Sequence, residues 1–118
     1  MRLPHAADAQ VDREKITDYL LSPNHPDGAS KARFFARFGF VFGEWAPLAD
    51  ALKQHGQVGA VVKFVESDYG TRYIVEGGLD TPDGRDPQVR TVWIIEKDGV
   101  RPRLITAYPC EDEDDEGT

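Results

Sequence analysis

The sequence lacks the residues and runs on which several classes of protein depend. It has a single cysteine, Cys110, in 118 residues, so an internal disulfide is excluded and we interpret the thiol as incidental. It has no basic N-terminal region followed by an apolar stretch, and no apolar run of about 18 residues, so we expect neither a signal peptide nor a membrane span. These absences favour a cytoplasmic protein without a membrane partner.

Sequence motifs for metals, nucleotides and nucleophilic serines are also missing. The three histidines show no HExxH or Cys/His ligand spacing, so no zinc site is expected. The segment "GASK" lacks the upstream glycine of a phosphate-binding loop, and "GTRYIVEGG" precedes no helix, as a dinucleotide fingerprint would require. No serine stands in a nucleophile elbow. We therefore predict no metal and no cofactor.

Basic residues are in the minority, and the imbalance comes from one end of the chain. The formal net charge is −7, but six of the 21 acidic residues lie in "EDEDDE", residues 111–116. The rest of the chain carries fourteen Lys/Arg against fifteen Asp/Glu and is close to neutral. The sequence predicts one domain over residues 1–109 and a disordered acidic tail over residues 110–118.

The first half of the chain has the periodicity of helices. Three segments place apolar residues at helical spacing: "VDREKITDYLL" (residues 11–21), "SKARFFARFG" (30–39) and "GEWAPLADALKQHG" (43–56). Asp12 and Ser30 are of the residue types that cap a helix start, and Gly56 is of the type that follows a helix end. We predict three helices with these boundaries.

The second half reads as strands. Four segments are rich in β-branched and aromatic residues: residues 60–66, 71–77, 89–96 and 101–109. Short turns such as "SDYG" and "KDG" favour hairpins between them. We therefore expect an α+β fold, with about three N-terminal helices packed on a four-stranded antiparallel meander sheet. Alternation along the fourth strand places Leu104, Thr106 and Tyr108 on one face.

Four basic residues on these strands are candidates for a phosphate-binding surface. Lys63, Arg72, Arg90 and Arg103 could converge on one face of the sheet. The alternative is that they are solvated residues of the strands.

Long segments of the chain resemble a bacterial domain family of unknown function, the family numbered 6883. The resemblance rests on "KITDYLLSPNHPDGASKARFFARFGF", "YGTRYIVEGGL", "TPDGR" and "RTVWIIEKDGVRPRLITAYP", and covers nearly all of residues 2–109. The order of helices before a meander that ends in "RLITAYP" is also similar to the ribonuclease toxin superfamily of barnase, EndoU, the colicin RNases and RelE. That resemblance implies metal-independent RNA cleavage and a small neutralising protein partner.

Such cleavage needs a base for the ribose 2′-hydroxyl, cations for the phosphorane and an acid for the leaving oxygen. Under this resemblance we assign His25 as general acid or base, and Lys31 and Arg72 as phosphate ligands. Thr106 and Tyr108 would supply hydroxyls or stack a base. The substrate-binding candidates are Lys63, Arg90 and Trp93.

Each assignment has a structural alternative. His25 could be a turn residue between Asn24 and Pro26, and Lys31 a solvated residue of a helix start. Trp93 and Tyr108 could be core or interface aromatics. Two other functions remain open: a non-catalytic binding module of antitoxin or immunity type that uses the acidic tail, and a scaffold without activity.

Overall fold

The computed structural model describes residues 1–110, so residues 111–118 of the predicted tail lie outside the described residues. A 3-10 turn (Ala6–Asp8) precedes α1 (Arg13–Lys15), a π-helical turn (Ile16–Leu20), α2 (Ala29–Arg37) and α3 (Trp45–Val58), and then β1 (Ala60–Ser67), β2 (Gly70–Gly78), β3 (Gln88–Glu96) and β4 (Arg103–Pro109). Within residues 1–110, no helix is long and apolar enough to cross a membrane.

The four strands form one antiparallel sheet in the order β1-β2-β3-β4. The ends of each predicted strand lie within two residues of the ends of an observed strand. The agreement arises because the β-branched and aromatic runs that predict the strands are the segments that pair. β1 and β4 are the two edges of the sheet, and the helices pack against one of its faces.

The helical layer differs from the predicted three N-terminal helices, and that prediction is wrong. The first of them is only the three-residue α1, which widens into the π-helical turn, where the Leu21 N–H donates to the Ile16 carbonyl at 2.8 Å. Asp12 does not cap α1, and its carboxylate instead accepts from the Gln10 amide. The longest helix, α3, lies in the middle of the chain. The helices therefore run from the N-terminal region to mid-chain, and the strands follow.

The ends of α2 and α3 also differ from their predicted positions. α2 begins at Ala29, so Ser30 lies inside the helix and does not cap it. α3 continues past Gly56 to Val58. A Cβ atom on Gly56 would lie only 2.7 Å from the Trp93 ring, so this glycine allows α3 to pack closely on β3. Gly56 thus serves helix-to-sheet packing and not helix termination.

The core lies between the helices and the inner face of the sheet. Its largest fully buried side chains are Trp93, Phe35, Ile16, Leu20, Leu21, Leu48, Leu52, Leu79 and Leu104. Every helical element contributes to it except the 3-10 turn and α1, which hold no buried residue. Burial of this apolar surface supplies the main force that holds the layers together.

A one-residue irregularity in β4 changes which of its side chains face the core. Val92 pairs with Thr106, whereas the next residue, Trp93, pairs with Leu104, so Ile105 is an extra residue in β4. As a result Leu104 and Ala107 are both buried, while Thr106 and Tyr108 stand opposite Val92 and Arg90 on the other face. The predicted alignment of Leu104 with Thr106 and Tyr108 is therefore wrong.

Candidate functional site

An open cleft of about 760 Å³, the β4 cleft, lies between residues 12–25 and β4. It is lined by Asp12, Glu14, Lys15, Asp18, Tyr19, His25, Arg103, Ile105 and Thr106. Two of the predicted catalytic residues, His25 and Thr106, therefore share one cavity although 81 positions separate them in the sequence. The bulge in β4 contributes to this, because Ile105 and Thr106 both turn away from the core side.

Tyr19, in the π-helical turn, is the common contact of the polar groups around the β4 cleft. Its hydroxyl is hydrogen-bonded to the Thr106 hydroxyl at 3.1 Å, and its ring meets the His25 ring edge-on at 5.0 Å. The Lys15 and Lys31 ammonium groups lie 5.4 and 5.5 Å from the Tyr19 ring centroid. We call Lys15, Tyr19, His25, Lys31 and Thr106 the Tyr19 cluster.

Two features of the backbone bring the Tyr19 cluster together. Single π-helical turns are frequent at functional sites, and this one carries Tyr19. A Cβ atom on Gly28 would lie 2.2 Å from the Tyr19 carbonyl oxygen, so only glycine permits the start of α2 to approach the π-helical turn so closely. His25 and Lys31 lie on either side of Gly28 and are therefore held beside Tyr19.

His25 has a structural role as well as a place in the cleft. Its Nδ1 atom accepts the N–H groups of Asp27 at 2.9 Å and Gly28 at 3.0 Å, which satisfies donors that precede the first turn of α2. An accepting Nδ1 carries no proton, so the proton of the neutral ring lies on Nε2. In this conformation Nε2 can donate a hydrogen bond to a phosphate, whereas action as a base would require the two N–H contacts to be given up.

Lys31 and Tyr108 lie together in a second depression of about 390 Å³ beside the β4 cleft. We call it the α2–β4 groove, and its lining residues are Ser30, Lys31, Arg33, Phe34, Arg37, Tyr108 and Pro109. Lys31 belongs to both sites, because it lines this groove and also lies over the Tyr19 ring. Four of the five predicted catalytic residues are thus found along one edge of the sheet.

Arg72, the fifth, is not among them. It is exposed on β2 and pairs with Ile94, which in turn pairs with Arg103 of β4, so two strand spacings of about 5 Å each separate it from β4. The structure therefore does not place Arg72 at the β4 edge with the other four, and its role as a phosphate ligand stays a prediction.

The predicted substrate-binding residues Lys63, Arg90 and Trp93 line neither the β4 cleft nor the α2–β4 groove. The strand register does place Lys63, Arg72, Arg90 and Arg103 on one face of the sheet. However, Arg90 pairs with Glu76, and Arg103 pairs with Glu96 at 2.9 Å. Trp93 is fully buried and donates its indole N–H to Thr91 at 2.8 Å, so its prediction as a substrate contact is wrong.

Comparison with protein families decides the classification of this chain. Residues 2–111 match the family described as a domain of unknown function, DUF6883. The chain belongs to the DUF6883 family. A search of curated proteins found no match.

A solved structure is also similar to this DUF6883 domain. It is a chain from a contact-dependent growth inhibition toxin and immunity protein complex of Klebsiella pneumoniae 342, with 27% sequence identity and a TM-score of 0.66. The match covers 88% of this chain and 95% of that chain. The neighbour is related to toxins or their immunity proteins, and the resemblance to ribonuclease toxins stays a prediction.

Sequence reasoning missed two members of the Tyr19 cluster of this DUF6883 domain. Tyr19 lies on the apolar face of the first predicted helix, where the pattern predicts that a tyrosine packs in the core. Lys15 precedes it by four residues and reads as a solvated helix position. Arg103 was proposed only as part of the face of the sheet, but it lines the β4 cleft. No group of His, Cys, Asp and Glu side chains among residues 1–110 is arranged to hold a metal ion.

His55, to which the sequence assigned no function, belongs to a buried hydrogen-bond network. Its Nε2–H donates to the Val89 carbonyl at 2.8 Å, and its Nδ1 accepts from the Thr91 hydroxyl at 2.9 Å. The Thr91 oxygen in turn accepts from the Trp93 indole N–H, and the Nε2 atom of His55 also lies 3.2 Å from the Gly77 carbonyl, so a single neutral tautomer of His55 is specified. Burial lowers the pKa of His55, and hydrogen bonds to the Val89 and Gly77 carbonyls oppose this in part.

Proposed function

We propose that this DUF6883 domain is a toxin-type endoribonuclease that cleaves RNA in the β4 cleft without a metal ion, and that a protein partner neutralises it. The observation that carries the proposal is the Tyr19 cluster, in which an imidazole, two ammonium groups and two hydroxyls converge at one edge of the sheet. The similarity to a chain of a toxin and immunity protein complex supports a role of this kind.

The groups of the cleft fit the steps of RNA cleavage by a 2′-hydroxyl. Lys15 and Lys31 supply positive charge for the phosphorane oxygens. The Nε2–H of His25 and the paired hydroxyls of Tyr19 and Thr106 supply hydrogen-bond donors for the phosphate and the leaving oxygen. A carboxylate of the cleft, Glu14 or Asp18, takes the 2′-hydroxyl proton, the bond from phosphorus to the 5′-oxygen breaks, and the Tyr19 hydroxyl gives its proton to that leaving oxygen.

The two roles of His25 can be separated by one substitution. The purified chain is incubated with total RNA and with transfer RNA in EDTA. His25→Asn keeps a side-chain acceptor for the N–H groups of Asp27 and Gly28 but removes the imidazole, so α2 is retained and cleavage falls by about a hundredfold or more. Circular dichroism verifies that the variant is folded.

His5→Asn is the matched control. His5 is exposed, lies outside the β4 cleft and has a positive φ of 55°, a conformation that asparagine tolerates. It should cleave like the wild type. Absence of cleavage by the wild-type chain, or equal cleavage by the folded His25→Asn variant, would refute the proposal.

A second candidate function is a non-catalytic binding module of antitoxin or immunity type, and the observation that favours it is the β1 edge. Residues 62–67 of β1 are all exposed, and Val62, Phe64 and Val65 remain about half accessible to solvent. An exposed apolar edge strand fits a protein partner that adds a strand to the sheet. Stable binding of the product of the adjacent gene together with no RNA cleavage would favour this candidate.

A further inference from the structure

We propose that the α2–β4 groove binds the single-stranded RNA that leaves the β4 cleft, with its cations on the phosphates and its rings against the bases. This inference rests on the proposed ribonuclease function, because it names the substrate segment held next to the point of cleavage. The groove is lined by three cations, Lys31, Arg33 and Arg37, and by the rings of Phe34 and Tyr108, and no carboxylate of residues 1–110 lines it. The β4 cleft, in contrast, is lined by three acidic residues.

The cations of the groove have no carboxylate partner in the part of the chain that the structure describes. Among residues 1–110, Lys31, Arg33 and Arg37 make no salt bridge, whereas Arg85, Arg90 and Arg103 each pair with a carboxylate. α2 itself contains no acidic residue over its nine positions.

This arrangement opposes the stability of α2. Arg33 and Arg37 are four residues apart and repel each other on the helix surface. Lys31 lies in the first turn, where the helix dipole disfavours a cation. A bound polyanion relieves both effects, because its phosphates neutralise the three charges together.

The rings add the second element of single-strand recognition. Tyr108 and Phe34 line the same depression as the three cations, and both are only partly buried. Successive bases stack on such rings without regard to sequence, while arginine and lysine follow the phosphates. The groove therefore suits a single strand of RNA and not a folded duplex, whose bases are already stacked.

The groove and the cleft form one path. Lys31 lines the groove and also lies 5.5 Å from the Tyr19 ring centroid. Thr106 in the cleft and Tyr108 in the groove stand on the same side of β4 and two residues apart. A strand whose scissile phosphate lies beside Tyr19 and Thr106 therefore passes directly over Lys31 into the groove.

The test is binding of a short fluorescent 2′-O-methyl RNA, which lacks the free 2′-hydroxyl that cleavage requires, to the full-length chain at several salt concentrations. The double variant Arg33→Ala, Arg37→Ala should weaken binding about tenfold or more. The plot of the logarithm of the association constant against the logarithm of the salt concentration has a negative slope, and this slope should become shallower by about 1.4, the value for two lost phosphate contacts. Tyr108→Ala should weaken binding without changing the slope, and Tyr108→Phe should restore it.

The matched control removes the same charge from β1 and β2, at the other end of the strand order. Lys63→Ala with Arg72→Ala lowers the net charge by an equal amount, and both residues are exposed outside the cleft and the groove. Its affinity and salt slope should stay at the wild-type values. Equal weakening by the two double variants would overturn the inference, because general attraction would then account for the binding.

The acidic residues 111–116 are the alternative occupant, because Pro109 lines the groove and the run begins two residues later. A full-length variant with these six residues changed to Gln and Asn separates the two cases. If the loss caused by Arg33→Ala, Arg37→Ala persists in this background, RNA occupies the groove. If the loss disappears, the inference is overturned. Undiminished cleavage of total RNA by the groove variant would overturn it as well while leaving the ribonuclease proposal intact.

Discussion

The two edges of the sheet, β4 and β1, differ in the groups that lie beside them. At β4, Gln10 extends the pairing through its N–H to Pro102 at 2.8 Å and its carbonyl to Leu104 at 3.0 Å, and the cleft and groove beside this edge carry polar and basic groups. At β1, Met1 accepts the Val61 N–H at 2.8 Å, and the residues that follow Val61 are exposed. Under the two proposals, the β4 edge would bind RNA and the β1 edge would bind a protein. The two kinds of partner would not compete for the same surface.

The largest expected effect is at the β4 edge, where removal of one hydroxyl group should reduce RNA cleavage. Tyr19→Phe removes the hydrogen bond to Thr106 but keeps the ring that His25, Lys15 and Lys31 contact. We expect RNA cleavage to fall by about tenfold to a hundredfold, because one donor to the reacting phosphate is lost. Tyr69→Phe changes a tyrosine that is 80% exposed in the turn after β1 and should have no effect. Equal rates for the two variants would remove the Tyr19 hydroxyl from the mechanism.

A smaller effect is expected on stability, at buried His55, which contacts β3 between the two edges of the sheet. The pKa of buried His55 is lowered, so below about pH 6.5 the unfolded chain binds more protons at this residue than the folded chain does. Stability from His55 is therefore complete above about pH 6.5 and falls as the pH drops toward the lowered pKa, by up to about 1.4 kcal/mol per pH unit. Urea unfolding at pH 7.5 and at lower pH measures this.

His55→Gln provides the control for that experiment. It removes the titrating group, so the difference between its pH profile and that of the wild type reports His55 alone. The variant should be less stable at pH 7.5, because Thr91 and the Val89 carbonyl lose their buried partner. Identical pH profiles would show that the imidazole does not contribute to the acid sensitivity.

The smallest expected effect on stability lies at the β1 edge. Val65→Lys places a charge on an edge residue that is 48% exposed, so the free energy of unfolding should change by no more than about 0.5 kcal/mol. RNA cleavage should also be unchanged, since Val65 lies outside the β4 cleft. Binding of the product of the adjacent gene should be lost if a partner strand pairs with β1, because the charge would be buried there. Retained binding would place the partner elsewhere.

The sequence predicted the strands closely because β-branched runs and short turns are local signals. It could not predict the bulge at Ile105 or the π-helical turn, since both depend on pairing and packing with distant segments. It also misread Gly56, whose role is set by the Trp93 ring on another element. Local rules thus predicted the elements of the fold but not where they deviate.

The site was predictable to a similar extent. The sequence named His25, Lys31 and Thr106 because a histidine in a turn, a cation at a helix start and the final strand each stand out, and the structure places all three against Tyr19. Tyr19 was not found, because nothing local distinguishes a tyrosine at the edge of a core from one within it. The separation of Arg72 from β4 could not be predicted, since the strand register alone determines it.

The contact of His25 with the start of α2 has a consequence for how the site can be switched off. The imidazole keeps its proton on Nε2 only while the N–H groups of Asp27 and Gly28 occupy Nδ1. Unwinding that one turn would release Nδ1 and allow the proton to move to the other nitrogen. If the proposed function is correct, an inhibitor that binds the turn from outside and draws Asp27 away from the ring would therefore lower RNA cleavage without entering the cleft.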